Sequence, residues 1–170
     1  MDFTQLSNAR YSVRKYAGEP VPENAIQAVL EVAQNAPTAC NNQPQRIYVV
    51  SSETGTAKIR RSTGCHFDAP LFFVVCYDRT ESWHRDFDGQ DYGMADCAIV
   101  MTQMMLKIHE LGLGSCFVGW FDPAVLRTEL QLPSEVIPVG ILPCGYPDAD
   151  SRPAGLHSRK KPLSEWVIRL

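Results

Sequence analysis

The sequence lacks the segments that direct a chain into or across a membrane. Its N-terminus, MDFTQLSNAR, has neither the basic start nor the apolar core of a secretory signal, and no apolar run approaches the length of a membrane span. The basic residues are scattered and the formal net charge is -3, so the sequence carries no electrostatic footprint for nucleic acid or an anionic membrane. We therefore expect a soluble cytoplasmic protein whose partners are small molecules.

Several catalytic and cofactor signatures are also missing. The six cysteines include no C-x-x-C pair, and a chain of 170 residues does not need disulfide staples, so most cysteines are predicted to be reduced core residues. The four histidines lack the spacing of a metal site. No G-x-S-x-G elbow, Walker motif or G-x-G-x-x-G fingerprint is present. We therefore predict no bound metal and no catalytic side chain.

Length and hydrophobic content predict one domain, residues 1–170, with a single core. After Pro22, apolar residues recur at helical spacing until Asn35 and Pro37, which end the predicted helix. From Gln90 to Leu111 the apolar residues cover most of the helix circumference. This second pattern predicts a long central helix that is packed on several sides.

Runs of β-branched and aromatic residues predict strands at 46–51, 70–77 and 136–144, the second of them buried on both faces. Residues 53–62 between the first two are helix-like, and Asp122 before Pro123 has the form of a capped helix start. The segment SCFVGWF is predicted as a strand or extended turn, and 166–168 as a candidate closing strand. The mixture indicates an α/β or α+β class.

Three short motifs contain side chains suited to binding a flat, phosphorylated cofactor. Arg10, Ser12 and Arg14 alternate along RYSVR, which places two guanidinium groups and a hydroxyl on one side of an extended chain. Forked N–H donors beside a short hydroxyl suit a phosphate. A solvated surface edge is the alternative interpretation of this motif.

The second motif is the loop APTACNNQPQ, residues 36–45, which is rich in neutral hydrogen-bonding side chains between two prolines. Amides of this kind read the carbonyls and ring nitrogens of a heterocycle without adding charge. An ordinary turn between a helix and a strand is the alternative, because Asn and Pro favour turns.

The third motif places Gly119, Trp120 and Phe121 directly before the capped helix start. Free backbone N–H groups in such a segment point outward and suit the edge of a flavin ring. A core strand with packed aromatic side chains is the alternative.

In this order and at these separations, the motifs resemble the nitroreductase family of FMN-dependent oxidoreductases in its short form. The resemblance covers nearly the whole chain and rests on RYSVRKY, APTACNNQPQR, LGLGSCFVGWFDP, ILPCGYP and RKKPLSEWV. It implies an α+β fold whose central, mostly antiparallel sheet is flanked by helices. It also implies a homodimer with two FMN sites in the subunit interface.

Carried over by position, the resemblance implies that Arg10 and Ser12 hold the phosphate and that Arg14 lies near the pyrimidine edge of the flavin. Arg159 or Lys160 matches a second phosphate cation. Two sets of residues complete the implied site: the backbone N–H groups of Gly119 and Trp120 facing the N5 and O4 side, and a loop largely from the partner subunit formed by Pro37, Thr38, Ala39, Asn41 and Gln43.

The resemblance further implies an enzyme that transfers hydride from NAD(P)H to nitroaromatic, quinone or other electron-poor acceptors by a ping-pong mechanism. A lysine that approaches the flavin in larger relatives has no certain counterpart here, where the aligned residues fall at 62–65. The alternatives are a flavin-binding storage or sensing protein, and a relative that reduces a C=C or carbon–halogen bond. The segment 80–89, with Trp83, His84 and Phe87, either shapes acceptor choice or is a plain loop.

Overall fold

A computed structural model describes residues 2–170, which form helices on both faces of one antiparallel sheet. The helices are α1 (Phe3–Ala9), α2 (Glu23–Gln34), α3 (Glu53–Ser62), α4 (Gly93–Glu110) and α5 (Pro123–Leu130), and the strands are β1 (Gln45–Val50), β2 (Leu71–Asp78), β3 (Gly114–Ser115) and β4 (Val136–Gly145). The strand order is β1-β2-β4-β3, and each pairing is antiparallel. The class is therefore α+β, which confirms the fold that the resemblance implies. None of the helices in residues 2–170 combines the length and the hydropathy that a bilayer crossing requires.

Strand β2 supplies side chains to two cores, as its almost entirely apolar sequence predicts. Phe73 and Val75 pack with α2 and α4 on one face of the sheet. Phe72 and Val74 pack with α3 and α5 on the other. Because helices cover both faces, successive side chains of the strand are all buried, and each large one contributes about 1.5–3 kcal/mol to folding.

Helix α4 is the long central helix that the apolar pattern predicts, but one of its faces is open in the single chain. Met101, Met104 and Ile108 are buried against the sheet. The helix begins at Gly93, where a Cβ atom would lie 2.1 Å from the Tyr77 ring, so only glycine allows this approach. An exposed stripe along the other face is formed by Met94, Ala95, Ala98 and Ile99. The prediction of packing on several sides is therefore correct for only part of the circumference within one chain.

The local sequence signals predict the start of α5 correctly, whereas α1 was not predicted from the sequence. Asp122 accepts hydrogen bonds from the N–H groups of Ala124 (2.9 Å) and Val125 (3.0 Å), as its position before a proline predicts. Helix α1 begins with a capping box formed by Asp2 and Gln5. It is only seven residues long and contains no buried residue, so its apolar pattern is too short to identify it.

The predicted closing strand at 166–168 is wrong. The tail instead forms a 3-10 turn at Leu163–Glu165, and Trp166 and Ile168 are exposed. A strand requires a neighbour with free backbone groups, and within residues 2–170 this segment pairs with no strand. In SCFVGWF, residues 115–121, only Ser115 belongs to a strand, as the end of β3, and the rest is an extended turn with a single bridge from Val118 to Ile141.

Candidate functional site

The Arg10 to Arg14 segment runs alongside β3. Ser12 forms a parallel bridge with Ser115, and the Val13 N–H donates to the Ser115 carbonyl at 3.0 Å. The Val13 side chain is buried against Gly114, where a Cβ atom would lie 2.4 Å from it. Because side chains alternate along an extended chain, Ser12 and Arg14 point away from this core. The predicted alternation of hydroxyl and guanidinium groups is present.

This segment is electropositive. Burial raises the pKa of the Cys116 thiol, whereas the nearby guanidinium groups of Arg14 and Arg10 act to lower it. Burial, and then the charge of Arg10, also lowers the pKa of His109. The charge of Arg10 contributes to both shifts, so its guanidinium lies near Cys116 and near His109 at the C-terminal end of α4.

The chain's tail approaches the same place. Ser12 and Arg14 line a cavity of about 280 Å³ together with Leu156 and His157. Arg159 follows two residues later, and its N–H donates to the Leu156 carbonyl at 3.2 Å. Arg159 and its neighbour Lys160 are exposed. The structure therefore brings the phosphate-binding candidates from the two ends of the sequence into one neighbourhood.

The Gly119–Trp120 segment lies at the end of α3. Gly119 is exposed and the Trp120 side chain is 72% exposed, so neither belongs to a packed core strand. Thr63 Oγ1 donates to the Trp120 carbonyl at 2.6 Å, and the Asp122 N–H donates to the Ser62 carbonyl at 2.8 Å. These two hydrogen bonds join the segment to the end of α3.

A cavity of about 530 Å³ opens at this junction. Its lining includes Arg60, Thr63, Gly64, Trp120 and Phe121. Sequence reasoning did not select Thr63 as a functional residue. In the sequence, residues 62–65 are distinctive only as the place where a family lysine is missing. No local pattern predicts the contact between Thr63 and Trp120, which are 57 positions apart.

The loop that contains Pro37, Thr38 and Asn41 is held by side-chain hydrogen bonds to its backbone. The Gln43 N–H donates to Thr38 Oγ1 at 3.0 Å, and Gln43 Nε2 donates to the Asn41 carbonyl at 3.3 Å. The Ala39 N–H donates to Asp96 Oδ1 in α4 at 2.9 Å. Pro37, Asn41 and Gln43 are exposed, so their polar atoms are accessible to a ligand.

The same loop has an unusual backbone. Cys40, Asn41 and Gln43 have φ values of 51°, 56° and 52°, in the left-handed region that disfavours side chains. Ordinary helix-to-strand turns do not need three such residues. Strain of this kind persists where the surrounding structure enforces it, and it clusters at ligand sites.

One chain does not bring the two halves of the predicted site together. The loop is tied to Asp96 near the start of α4, whereas Arg10 lies by His109 near the end of this helix. Thirteen residues of helix separate Asp96 from His109, which corresponds to about 20 Å. The loop and the Arg10 segment therefore lie toward opposite ends of α4. Among residues 2–170, no cluster of three His, Cys, Asp or Glu side chains is arranged to hold a metal.

Comparisons with known proteins agree on one family. The family model described as "Nitroreductase family" matches residues 8–70 and 64–146. A Methanothermobacter thermautotrophicus protein whose name combines NADH dehydrogenase and NAD(P)H nitroreductase is 32% identical over 155 residues, 86% of this chain and 78% of its own length. An FMN reductase [NAD(P)H] of Bacillus subtilis is 28% identical over 80% of this chain and 62% of its own length.

An iodotyrosine deiodinase of Thermotoga neapolitana is 27% identical over 96% of this chain and 95% of its own length. Among solved structures, a nitroreductase family protein from Clostridium difficile 630 is 38% identical with a TM-score of 0.93, and the match covers 99% of this chain and 98% of that one. The family model spans most of the sequence, and relatives above 30% identity cover nearly all of it. This chain therefore belongs to the nitroreductase family.

Proposed function

We propose that this protein is an FMN-dependent oxidoreductase that takes hydride from NAD(P)H and passes it to electron-poor acceptors such as nitroaromatics or quinones. The family and the names of the relatives, among them an FMN reductase [NAD(P)H], support the reaction class. When bound, FMN supplies the hydride chemistry, and the protein supplies binding, orientation and electrostatics.

The phosphate of FMN needs cations and a hydroxyl donor. Arg10, Ser12 and Arg14 offer these on one extended segment, and the cleft beside Ser12 and Arg14 is bordered by the tail that carries Arg159 and Lys160. Two guanidinium groups that face one phosphate dianion form charge-assisted hydrogen bonds, which are about twice as strong as neutral ones. The residues present therefore fit the phosphate.

The ring of FMN needs neutral hydrogen-bond donors at its N5 and O4 side. The observation that carries the proposal is a set of free backbone N–H groups that suit this side. Across the described part of the chain, the N–H groups of Gly119, Trp120 and Phe121 have no acceptor, whereas the Val118 N–H and Asp122 N–H on either side of them are both bonded. Four extended residues from Ser115 to Gly119 span about 13 Å, so these donors lie along the same edge as Ser12. In the proposal, NAD(P)H and the acceptor occupy the open face of the ring in turn, which is a ping-pong cycle.

We propose a homodimer because the loop and the Arg10 segment cannot meet in one chain. The exposed stripe on α4 (Met94, Ala95, Ala98, Ile99) lies between the two halves of the site and consists of small and apolar side chains. Burying such a stripe against its copy stabilises a dimer and brings the loop of each chain toward the site of the other. Pro37, Thr38, Ala39, Asn41 and Gln43 then complete the partner's FMN site.

Two other functions remain as outcomes of the test. The iodotyrosine deiodinase relative favours carbon–halogen reduction as a second candidate. A storage or sensing protein would hold flavin without turnover.

The deciding experiment is an absorbance spectrum of the purified protein, followed by additions of NADH and NADPH under nitrogen. The proposal expects oxidised-flavin bands that bleach with the nucleotide and recover with menadione or a nitroarene. Recovery only with an iodinated tyrosine supports the deiodinase function, and flavin without cycling supports storage. Protein that is colourless and does not take up added FMN contradicts the proposal.

A further inference from the structure

We propose that Asp96 is a positioning residue for the flavin, fixing the shape of the loop from Thr38 to Gln43 before FMN binds. This inference rests on the proposed function. Asp96 lies in the first turns of α4 and is 2% exposed. Its Oδ1 accepts the Ala39 N–H at 2.9 Å, which ties the loop to a residue 57 positions later in the sequence.

A buried carboxylate at position 96 lowers the stability of the fold through its desolvation. Among residues 2–170, its second carboxylate oxygen, Oδ2, is buried without a hydrogen-bond donor, a property shared only with Gln45 Oε1. An alanine or leucine would fill a helix position against the core without this desolvation penalty. Within residues 2–170, the one hydrogen bond that the Asp96 side chain makes goes to the loop, so the carboxylate serves the loop rather than the core around it.

The tie acts at the first residue of the strained segment. Ala39 begins a 3-10 turn, Ala39–Asn41, and Cys40 and Asn41 directly after it adopt left-handed backbone conformations. The Asn41 and Gln43 side chains are displayed from this backbone. Without an anchor on Ala39, the left-handed residues are free to relax, because their conformations are unfavourable in isolation. Asp96 therefore preorganises the loop, and a preorganised site binds more tightly than one that is ordered on binding.

The test uses Asp96→Ala and Asp96→Asn in the full-length protein. Asp96→Ala removes the acceptor. We expect faster amide hydrogen exchange in residues 37–44 of the apoprotein. We also expect the dissociation constant for FMN to increase at least tenfold. Asp96→Asn keeps an acceptor oxygen for the Ala39 N–H. We expect it to retain the exchange protection and an FMN affinity within about threefold of the wild type, since the bond rather than the charge holds the loop.

Cys97→Ala is the matched control. Cys97 is the next residue of the same helix, is fully buried, and donates its thiol proton to the Cys76 carbonyl at 3.3 Å instead of to the loop. We expect this variant to unfold at a lower denaturant concentration while its FMN affinity and loop protection stay unchanged. If Asp96→Ala behaves in the same way, the residue is merely structural and the inference is overturned.

Ala39→Pro deletes the same hydrogen bond from the donor side and decides the question if Asp96→Ala does not fold. Thr38 has φ -128° and ψ 157°, the extended conformation that a residue before proline prefers. We expect the proline variant to lose FMN affinity at least tenfold, and wild-type affinity would overturn the inference. If the wild type takes up no FMN, the proposed function fails, but hydrogen exchange in the apoprotein still tests whether Asp96 fixes the loop.

Discussion

Thr63 Oγ1 donates a 2.6 Å hydrogen bond to the carbonyl oxygen of Trp120 and accepts one from the Cys65 N–H at 3.0 Å. Thr63 itself is buried, at 5% exposed, whereas Cys65 is half-buried and the Trp120 side chain is exposed. This hydroxyl joins the end of α3 to the segment whose free N–H groups are proposed to bind the flavin ring.

Thr63→Val keeps the shape of the side chain and removes both hydrogen bonds. We expect a loss of about 1 kcal/mol in the free energy of unfolding, because the Trp120 carbonyl and the Cys65 N–H lose a part-buried partner. We also expect FMN to bind about tenfold more weakly, as measured by fluorescence titration. Thr63→Ser should restore both values. Thr128→Val, which removes an exposed hydroxyl bonded within α5 to Ala124, should change neither; full FMN affinity in Thr63→Val would contradict the positioning role.

Arg14→Ala should weaken FMN retention and slow the reduction of bound flavin by NAD(P)H. A hydrogen bond to a charged group is worth about 1.5–3 kcal/mol, which corresponds to roughly a 10- to 100-fold change in the dissociation constant. Equilibrium dialysis and stopped-flow absorbance measure the two effects. Lys58→Ala on α3 removes a cation elsewhere and should leave flavin binding intact. Normal flavin content with normal rates in Arg14→Ala would remove this residue from the site.

Ala98→Glu tests whether the exposed stripe on α4 is the dimer interface. Two carboxylates that meet across a twofold axis repel each other and are desolvated, so we expect monomers in analytical ultracentrifugation. These monomers should also bind FMN poorly, because in one chain the loop contacts Asp96 and Arg10 lies near His109, about 20 Å further along α4. Thr128→Glu on exposed α5 should remain dimeric. A monomer of Ala98→Glu that holds FMN normally would rule out a site shared between subunits.

In the segment 80–89, the Phe87 side chain is accessible to an acceptor, whereas the Trp83 side chain packs within the protein. Phe87 is 97% exposed, whereas the Trp83 ring packs edge to face on Tyr92 with a centroid distance of 5.0 Å. The Asn42 side chain donates to the Glu81 carbonyl at 3.0 Å, so this segment adjoins the loop of residues 36–45.

We therefore expect Phe87→Ala to change the KM for aromatic acceptors while the free energy of unfolding stays within about 0.5 kcal/mol, as for most surface substitutions. Trp83→Ala should lower stability. Steady-state kinetics over a panel of quinones and nitroarenes measures the first effect, and urea unfolding measures the second. An unchanged panel for both variants would favour a plain loop.

Alkaline pH should destabilise the protein through groups that stay protonated when folded. The Tyr16 hydroxyl is buried and donates to the carbonyls of Val13 (2.8 Å) and Pro143 (3.1 Å), and burial raises its pKa far above 10. Burial also raises the pKa of the Cys76 and Cys144 thiols to about 12 from a model-compound value of 9.0. A raised folded-state pKa stabilises fully below the unfolded pKa, and the stabilisation is lost as pH rises toward the folded value.

Urea unfolding with reductant present should therefore give a nearly constant free energy between about pH 7 and pH 8 and a decline from about pH 9 toward pH 12. Tyr16→Phe orphans two carbonyls and should be less stable at pH 7 by about 1–3 kcal/mol. Its decline above pH 10 should be shallower, because one of the titrating groups is gone. An identical slope in both proteins would show that Tyr16 does not contribute to the pH dependence.

Much of the fold follows from patterns within a few residues. Helix α3 has the predicted bounds, 53–62, and the start of α5 follows from Asp122 before Pro123, because capping and periodicity are local. Local patterns failed where a segment buries nothing in this chain. Helix α1 and the tail at 166–168 are such segments, and an apolar tail without a neighbouring strand has no partner for its backbone.

The sequence by itself determined the family, the α+β class and the kinds of side chain available for a phosphate and a flavin ring, because residue types and their order carry that chemistry. Only the tertiary structure decided which of them meet. Ser12 joins Ser115, Thr63 holds Trp120, and Asp96 holds Ala39, through contacts between residues that are far apart in the sequence. The separation of the two half-sites along α4 was likewise invisible in the sequence, because it depends on which end of a helix each loop reaches.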